Sequence, residues 1–313
     1  MKQKRGVGRL SGLILVLVVA WVVRTEPAIG PVGGWMTAAG VEPAFVDAGG
    51  VRVRYVRKGN GPSVVLIHGF ASSMYTWKDV LPILAAGHDV IAIDLPGFGG
   101  SDIPRPLAGA SYPAVVLAAM DRLGIERAAL VGNSLGGSVA VAVAAENPQR
   151  VTALVLVDSA GFNFDAAERP WMLRLIAAPG VAAVVERLPV RRRLVEAGLK
   201  QVFFRDDLVT AERVDEYAAP MMRPGATRAA AELLTSQGPP FAAAAARVRA
   251  PTLVVWGRED TWIPVAHAER FTSAIPGSKA VILDACGHVP QEEKPADLVA
   301  LVASFLASVG RVD

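Results

Sequence analysis

The sequence predicts an α/β fold, a mostly parallel sheet covered by helices on both faces, with a helical insertion late in the chain. Three observations carry this. Runs such as "SVVLIHG", "DVIAIDL" and "ALVLV" are apolar throughout, as strands buried on both faces are. Helix-like stretches alternate with them, the rhythm of a parallel sheet with crossover helices. That rhythm lapses over residues 162–240, where helix-like stretches are separated by Pro179-Gly180, Pro189 and Pro224-Gly225 and no strand-like run occurs.

Taken in order, "AFVDAGGVRVRYVRKGNG" holds two strand-like runs around Gly49-Gly50, a hairpin signal. "SVVLIHG" is a strand, "TWKDVLPILAAG" a helix ended by Gly87, and "DVIAIDLPGFGGSD" a strand running into a glycine-rich loop. "YPAVVLAAMDRLGI" is helical, "RAALVGNS" a strand, "LGGSVAVAVAAENPQR" a helix and "VTALVLVDSAG" a strand. After the interruption come "APTLVVWGRED" (strand), "VAHAERFTSAIPG" (helix), "KAVILDACGH" (strand) and "KPADLVALVASFLASVG" (helix). The expected division is a core over 43–161 and 241–313, a cap over 162–240, a Pro/Gly linker over 25–42 and a targeting segment over 1–24.

The 313 residues are 52% hydrophobic, enough for a large core. The single cysteine, Cys286, excludes an intrachain disulfide and a cysteine-based zinc site. Net charge is +3, and setting aside Lys2, Lys4, Arg5, Arg9 and Arg24 leaves −2 for the remainder. The basic balance is therefore N-terminal and points to no nucleic-acid partner. Leu10–Val23 is 14 residues without charge, ~21 Å as a helix against a hydrocarbon core of ~30 Å. With its basic flank it reads as a membrane anchor that places the catalytic domain outside the cytoplasm, or as a signal peptide that leaves a secreted or periplasmic protein.

"GNSLG" (Gly132–Gly136) fits G-x-S-x-G between a strand and a helix, a nucleophile elbow. Gly132 and Gly136 remove side chains where strand and helix pack closely, and Ser134 takes a strained turn that exposes its hydroxyl. The hydroxyl needs a base. Of four histidines, His88 and His267 fall in positions that read as solvated or structural, while His68 and His288 each follow a strand. The order nucleophile, acid, histidine selects His288. Asp260, after "TLVVWG", is the chosen acid; Asp158, after "LVLV", is the alternative, and Asp284 is expected to point elsewhere. The oxyanion donors expected are the backbone N–H groups of Leu135 and Phe70. Gly69 lets that loop approach, and His68 orients it.

With "HGF" at 68–70, "DLPGFGGSD" at 94–102, "GNSLGG" at 132–137, "WGRED" at 256–260 and "CGHVPQEEKP" at 286–295, the chain resembles the α/β-hydrolase fold superfamily over about residues 45–309. The resemblance implies the same triad, Ser134, Asp260 and His288, and makes 162–240 look like the family's cap. It implies a serine hydrolase, esterase- or lipase-like, acting on a small-molecule ester. Ser134 stands where epoxide hydrolases and haloalkane dehalogenases of this superfamily use aspartate. Hydrolases of meta-cleavage products share a similar "GNS-x-GG" elbow but usually carry tryptophan after the histidine, where this chain has Val289. C–C bond hydrolysis and a non-catalytic ligand-binding role are the alternatives.

In the cap, Trp171, Met172, Leu173, Phe203, Phe204, Met221 and Met222 are expected to pack it onto the body, with some lining an acyl pocket. Arg191-Arg192-Arg193 reads as a solvated helix face. The sequence carries no metal-ligand cluster, P-loop or dinucleotide fingerprint, so no cofactor is expected, and it sets no oligomeric state.

Overall fold

The computed structural model describes residues 27–107, 111–162, 170, 173–174, 177–178, 180–187, 191–236 and 241–310. Its sheet has eight strands: β1 (Ala44–Asp47), β2 (Arg52–Lys58), β3 (Ser63–Ile67), β4 (Asp89–Ile93), β5 (Ala128–Asn133), β6 (Val151–Val157), β7 (Thr252–Gly257) and β8 (Lys279–Leu283). The spatial order is β1-β2-β4-β3-β5-β6-β7-β8. β1 pairs antiparallel with β2, and β2 antiparallel with β4. Every other pairing is parallel.

Side chains alternate along each strand, and in the central strands both sets are buried. Val65, Ile67, Ile91, Ile93, Leu130, Leu154 and Leu156 face one core, which includes Val116, Val139 and Phe271 of the covering helices. Val64, Leu66, Val90, Val131, Val155 and Val255 face the other, under Trp77, Leu81, Leu298 and Val302. This double burial is why those runs carry no polar alternation. After β3 the chain steps outward to β4, then returns to the other side of β3 to lay down β5. The ends of β3 and β5 therefore flank the point where strand order reverses, the place where open α/β sheets form a crevice.

Helices Val181–Arg187, Arg191–Val202, Ala211–Met221, Ala226–Thr235 and Phe241–Ala245 lie between β6 and β7. Arg213 Nε meets Glu292 at 2.9 Å, both side chains buried, and the same carboxylate accepts from Thr76 Oγ1 at 2.7 Å and from Tyr217. This network pins the Ala211–Met221 helix to the body.

Several expectations are corrected. "TWKDVLPILAAG" is not one helix: a 3₁₀ turn over Met74–Trp77 precedes a single turn over Leu81–Leu84. Residues 27–42 are no free linker. They contain the helix Gly34–Ala39, with Trp35 buried against Tyr75 at 6.2 Å. The Gly30 N–H donates to Asp215 at 3.0 Å, and the Gly33 N–H donates to Glu216, strapping the segment to the helical layer. Arg192, expected on a solvated face, is buried in an ion pair with Asp215 at 2.6 Å. Among the described residues no helix is long and apolar enough to cross a membrane. That overturns the expectation of a membrane-anchored protein with its catalytic domain held outside the cytoplasm. Residues 1–24, on which it rested, lie outside the described residues.

Candidate active site

β5 ends at Asn133, and the helix Leu135–Glu146 begins two residues later. Ser134 joins them at φ 52°, ψ −117°, a region that non-glycine residues rarely occupy and that marks stored strain. Space explains the glycines. A Cβ on Gly132 would strike the Gly136 carbonyl, and one on Gly136 would strike the Ile67 carbonyl of β3. On Gly69 it would lie 3.2 Å from Ser134 Cβ, so the loop after β3 passes directly beside the serine. Leu135 opens the helix, so its N–H has no intrahelical acceptor.

His288 follows β8, and its Nδ1 lies 2.7 Å from Asp260 Oδ2. The other carboxylate oxygen, Oδ1, accepts from the N–H groups of Trp262 at 2.7 Å and Ile263 at 2.9 Å. Asp260 is thus held by its own loop and presents one oxygen to the imidazole. That contact occupies Nδ1 and leaves Nε2 as the ring nitrogen for a further partner. His288 is held at three more points, two on its backbone and one on its ring. Its backbone N–H donates to Val202 O at 2.9 Å, its carbonyl accepts from Asn133 Nδ2 at 3.1 Å, and the Trp262 ring lies against it with centroids 5.7 Å apart.

The other candidates separate cleanly. His68 accepts at Nε2 from the Leu95 N–H at 2.9 Å, so its Nδ1 carries the proton that meets Gly69 O at 2.7 Å. Burial pushes its pKa down, and this neutral ring ties two loops together. Asp284 is exposed and paired with Arg258. Asp94, in the glycine-rich loop, is buried and accepts from Met74 N–H, Arg54 Nε and Gly100 N–H, an anchoring role. Asp158 is fully buried at φ 44°, and its Oδ1 accepts from the Gly257 N–H at 2.9 Å.

Residues 62–295 match the family model described as the alpha/beta hydrolase fold. The chain is an α/β hydrolase. It is 38% identical over 270 residues to the dihydrolipoyllysine-residue acetyltransferase component of the acetoin cleaving system of Cupriavidus necator, covering 84% of this chain and 68% of that one. It is 34% identical over 281 residues to 2-hydroxymuconate semialdehyde hydrolase of a Pseudomonas species, covering 84% and 93%. Among solved structures, a bacterial membrane phospholipase A superposes with a TM-score of 0.72 at 26% identity, over 97% of this chain and 99% of that one.

One cavity of this α/β hydrolase brings Ser134, His288, Gly69 and Phe70 together beneath the helical layer. Its far wall is apolar, with Leu173, Val185, Leu194, Val195, Leu199 and Met221. Of the cap residues singled out in the sequence, Leu173 and Met221 line it. Phe203 is buried in the cap's own cluster beside Val289, Phe204 is 49% exposed, and Trp171 and Met172 lie outside the described residues. Sequence reading missed Asn133, although it sits inside the elbow motif, and Glu292, although it sits inside "CGHVPQEEKP". It also missed Trp262 and Thr227, which line the cavity and carry no sequence signal of their own.

Proposed function

We propose that this hydrolase cleaves carboxylic esters of small to medium apolar substrates through an acyl-enzyme. Ser134 is the nucleophile, His288 the base and Asp260 the residue that orients it. The observation that carries this is the Asp260–His288 contact at 2.7 Å, opening on the cavity that Ser134 also lines. With Nδ1 held by Asp260, His288 Nε2 takes the serine proton as Oγ attacks the carbonyl carbon, then returns it to the leaving alcohol. A water, deprotonated in the same way, releases the acid. The N–H groups of Phe70 and Leu135 receive the oxyanion. In this reading 162–240 is the cap and 43–161 with 241–313 the catalytic core.

The apolar wall suits an acyl chain, each buried methylene adding up to ~0.8 kcal/mol until the space is filled. Two buried donors on the same lining, Thr227 Oγ1 and Trp262 Nε1, find no partner among the described residues. Buried polar groups of this kind are satisfied by ligand or water, so they suit acceptor oxygens of the substrate. A second reading, C–C bond hydrolysis, is favoured by the likeness to 2-hydroxymuconate semialdehyde hydrolase; it uses the same attack on a carbonyl carbon.

The test is kcat/KM for p-nitrophenyl esters from acetate to palmitate, beside a vinylogous diketone from aromatic ring cleavage. The ester reading expects activity that rises with chain length and then falls. A flat, near-background ester profile with rapid diketone cleavage selects the second reading. Turnover of neither leaves a ligand-binding member of the fold.

A further inference from the structure

Asp158 is a buried carboxyl that the mechanism above does not use. It ends β6, next to β7, whose end carries Asp260. Its Oδ1 is occupied by the Gly257 N–H, while its Oδ2 is buried and receives no donor. One side-chain oxygen or nitrogen from each of Asp158, Asp260 and His288 lies within 4.8 Å of the other two. Two ionised carboxylates at that range, without water, repel strongly. A proton on Oδ2 removes that repulsion and gives the orphaned oxygen a hydrogen to donate toward Asp260.

We propose that Asp158 is a positioning residue that acts as a neutral carboxylic acid, donating a hydrogen bond to Asp260 and so holding it toward His288. The proposal rests on the triad assignment above. Burial first, and then the Asp260 charge, drive the Asp158 carboxyl well above the ordinary carboxylate range. Glu293 adds to the push, and Cys286, the neighbouring thiol, is driven up by burial and by Asp158 in turn. The Gly257 N–H pulls the Asp158 carboxyl the other way, and Lys294 does the same to the Cys286 thiol, without cancelling the push. Asp158 also keeps a left-handed backbone at φ 44°, which aspartate and asparagine tolerate better than most residues.

The roles separate by substitution. Asparagine keeps both bonds: Oδ1 accepts from Gly257, and Nδ2–H donates to Asp260. Alanine keeps neither. Asp158→Ala is expected to lower kcat on the order of 10–100-fold with KM little changed, the cost of a loosened Asp260. Asp158→Asn is expected to stay within about fivefold, with the acid limb of kcat/KM unmoved, because no charge has been removed from beside the imidazole. Were Asp158 ionised, Asp158→Asn would move that limb to lower pH by about one unit or more.

A readout independent of turnover is the melting temperature of both proteins between pH 4 and 8. The native state keeps a proton that the unfolded chain sheds above pH ~4. The wild type therefore loses stability as pH rises through that range, and the Asp158→Asn protein, which has no such proton, gains on it. A Tm difference that is constant or shrinks with pH overturns the proposal. So does an Asp158→Asn variant as crippled as Asp158→Ala, or a folded Asp158→Ala with full kcat. If the wild type cleaves no ester or diketone, the triad reading has failed, and the Tm series still decides whether Asp158 is neutral.

Discussion

On the sheet side of the cavity, Gly132 and Gly136 sit where neighbouring backbone leaves no room for a methyl group, and Gly69 lies close against Asn133 and Ser134; on the helical side, Leu173, Val185, Leu194 and Val195 present apolar side chains. The sheet side places atoms by backbone contact, and its tolerance is a few tenths of an ångström. The helical side fills volume, and apolar residues of similar size exchange there at little cost. It is pinned by the buried Arg213–Glu292 pair with Tyr217 and Thr76. In the proposed reading the difference separates two tasks: the sheet edge sets which bond is attacked, and the helices set which molecule is admitted.

Substitutions on the two sides should differ accordingly. The largest effect belongs to Ser134→Ala. It should lower kcat on the order of 10⁶-fold while changing stability by less than about 1 kcal/mol, since alanine fits wherever serine does. Steady-state kinetics and thermal unfolding of one preparation check both halves, and near-normal turnover would sink the triad. Asp260→Asn comes next, with a loss of order ~10⁴ in kcat from a misoriented imidazole. It should far exceed the loss from Asp158→Asn. The reverse ranking would put the acid on β6.

On the helical side the expected damage is to stability and selectivity. Arg213→Met leaves the buried Glu292 without its counter-cation, with only Thr76 and Tyr217 as donors, and should destabilise by about 3–5 kcal/mol. Burial alone already pushes that carboxyl up, against the pull of Arg213. The double variant with Glu292→Gln should recover much of the loss, and urea midpoints for the cycle would show whether the pair is a lock or an ornament. The smallest effect is Thr227→Val, less than about tenfold in kcat/KM. It should fall on esters carrying an extra acceptor oxygen and spare plain alkyl esters; an equal loss on both would show a packing role.

The same contrast governs how much was legible beforehand. Ser134 and its glycines are readable because the turn needs adjacent residues of fixed type, so the requirement is written contiguously as "GNSLG". His288 and Asp260 are readable because each follows an apolar strand, and parallel strands bring their ends to one edge. The sequence favours Asp260 over Asp158 only by position, and the contact that supports that preference belongs to the tertiary structure. Both end neighbouring strands, and only the placement of Nδ1 at 2.7 Å from Asp260 distinguishes them. The strap over 27–42 was read as a linker because proline and glycine dominate it; its anchors, Asp215 and Glu216, lie more than 180 residues away.

The sequence by itself determined the order of strands and helices, the doubly covered sheet and the motif residues at its edge. These depend on local pattern and on chain direction, both present in one dimension. Only the tertiary structure decided that Arg213, Tyr217 and Thr76 converge on Glu292, that Thr227 and Trp262, whose donors are unpaired among the described residues, line one cavity, and that Asp158 lies beside Asp260. Those are properties of residues distant in the chain meeting in a medium without water, where a charge or a donor is defined by whatever else is buried with it.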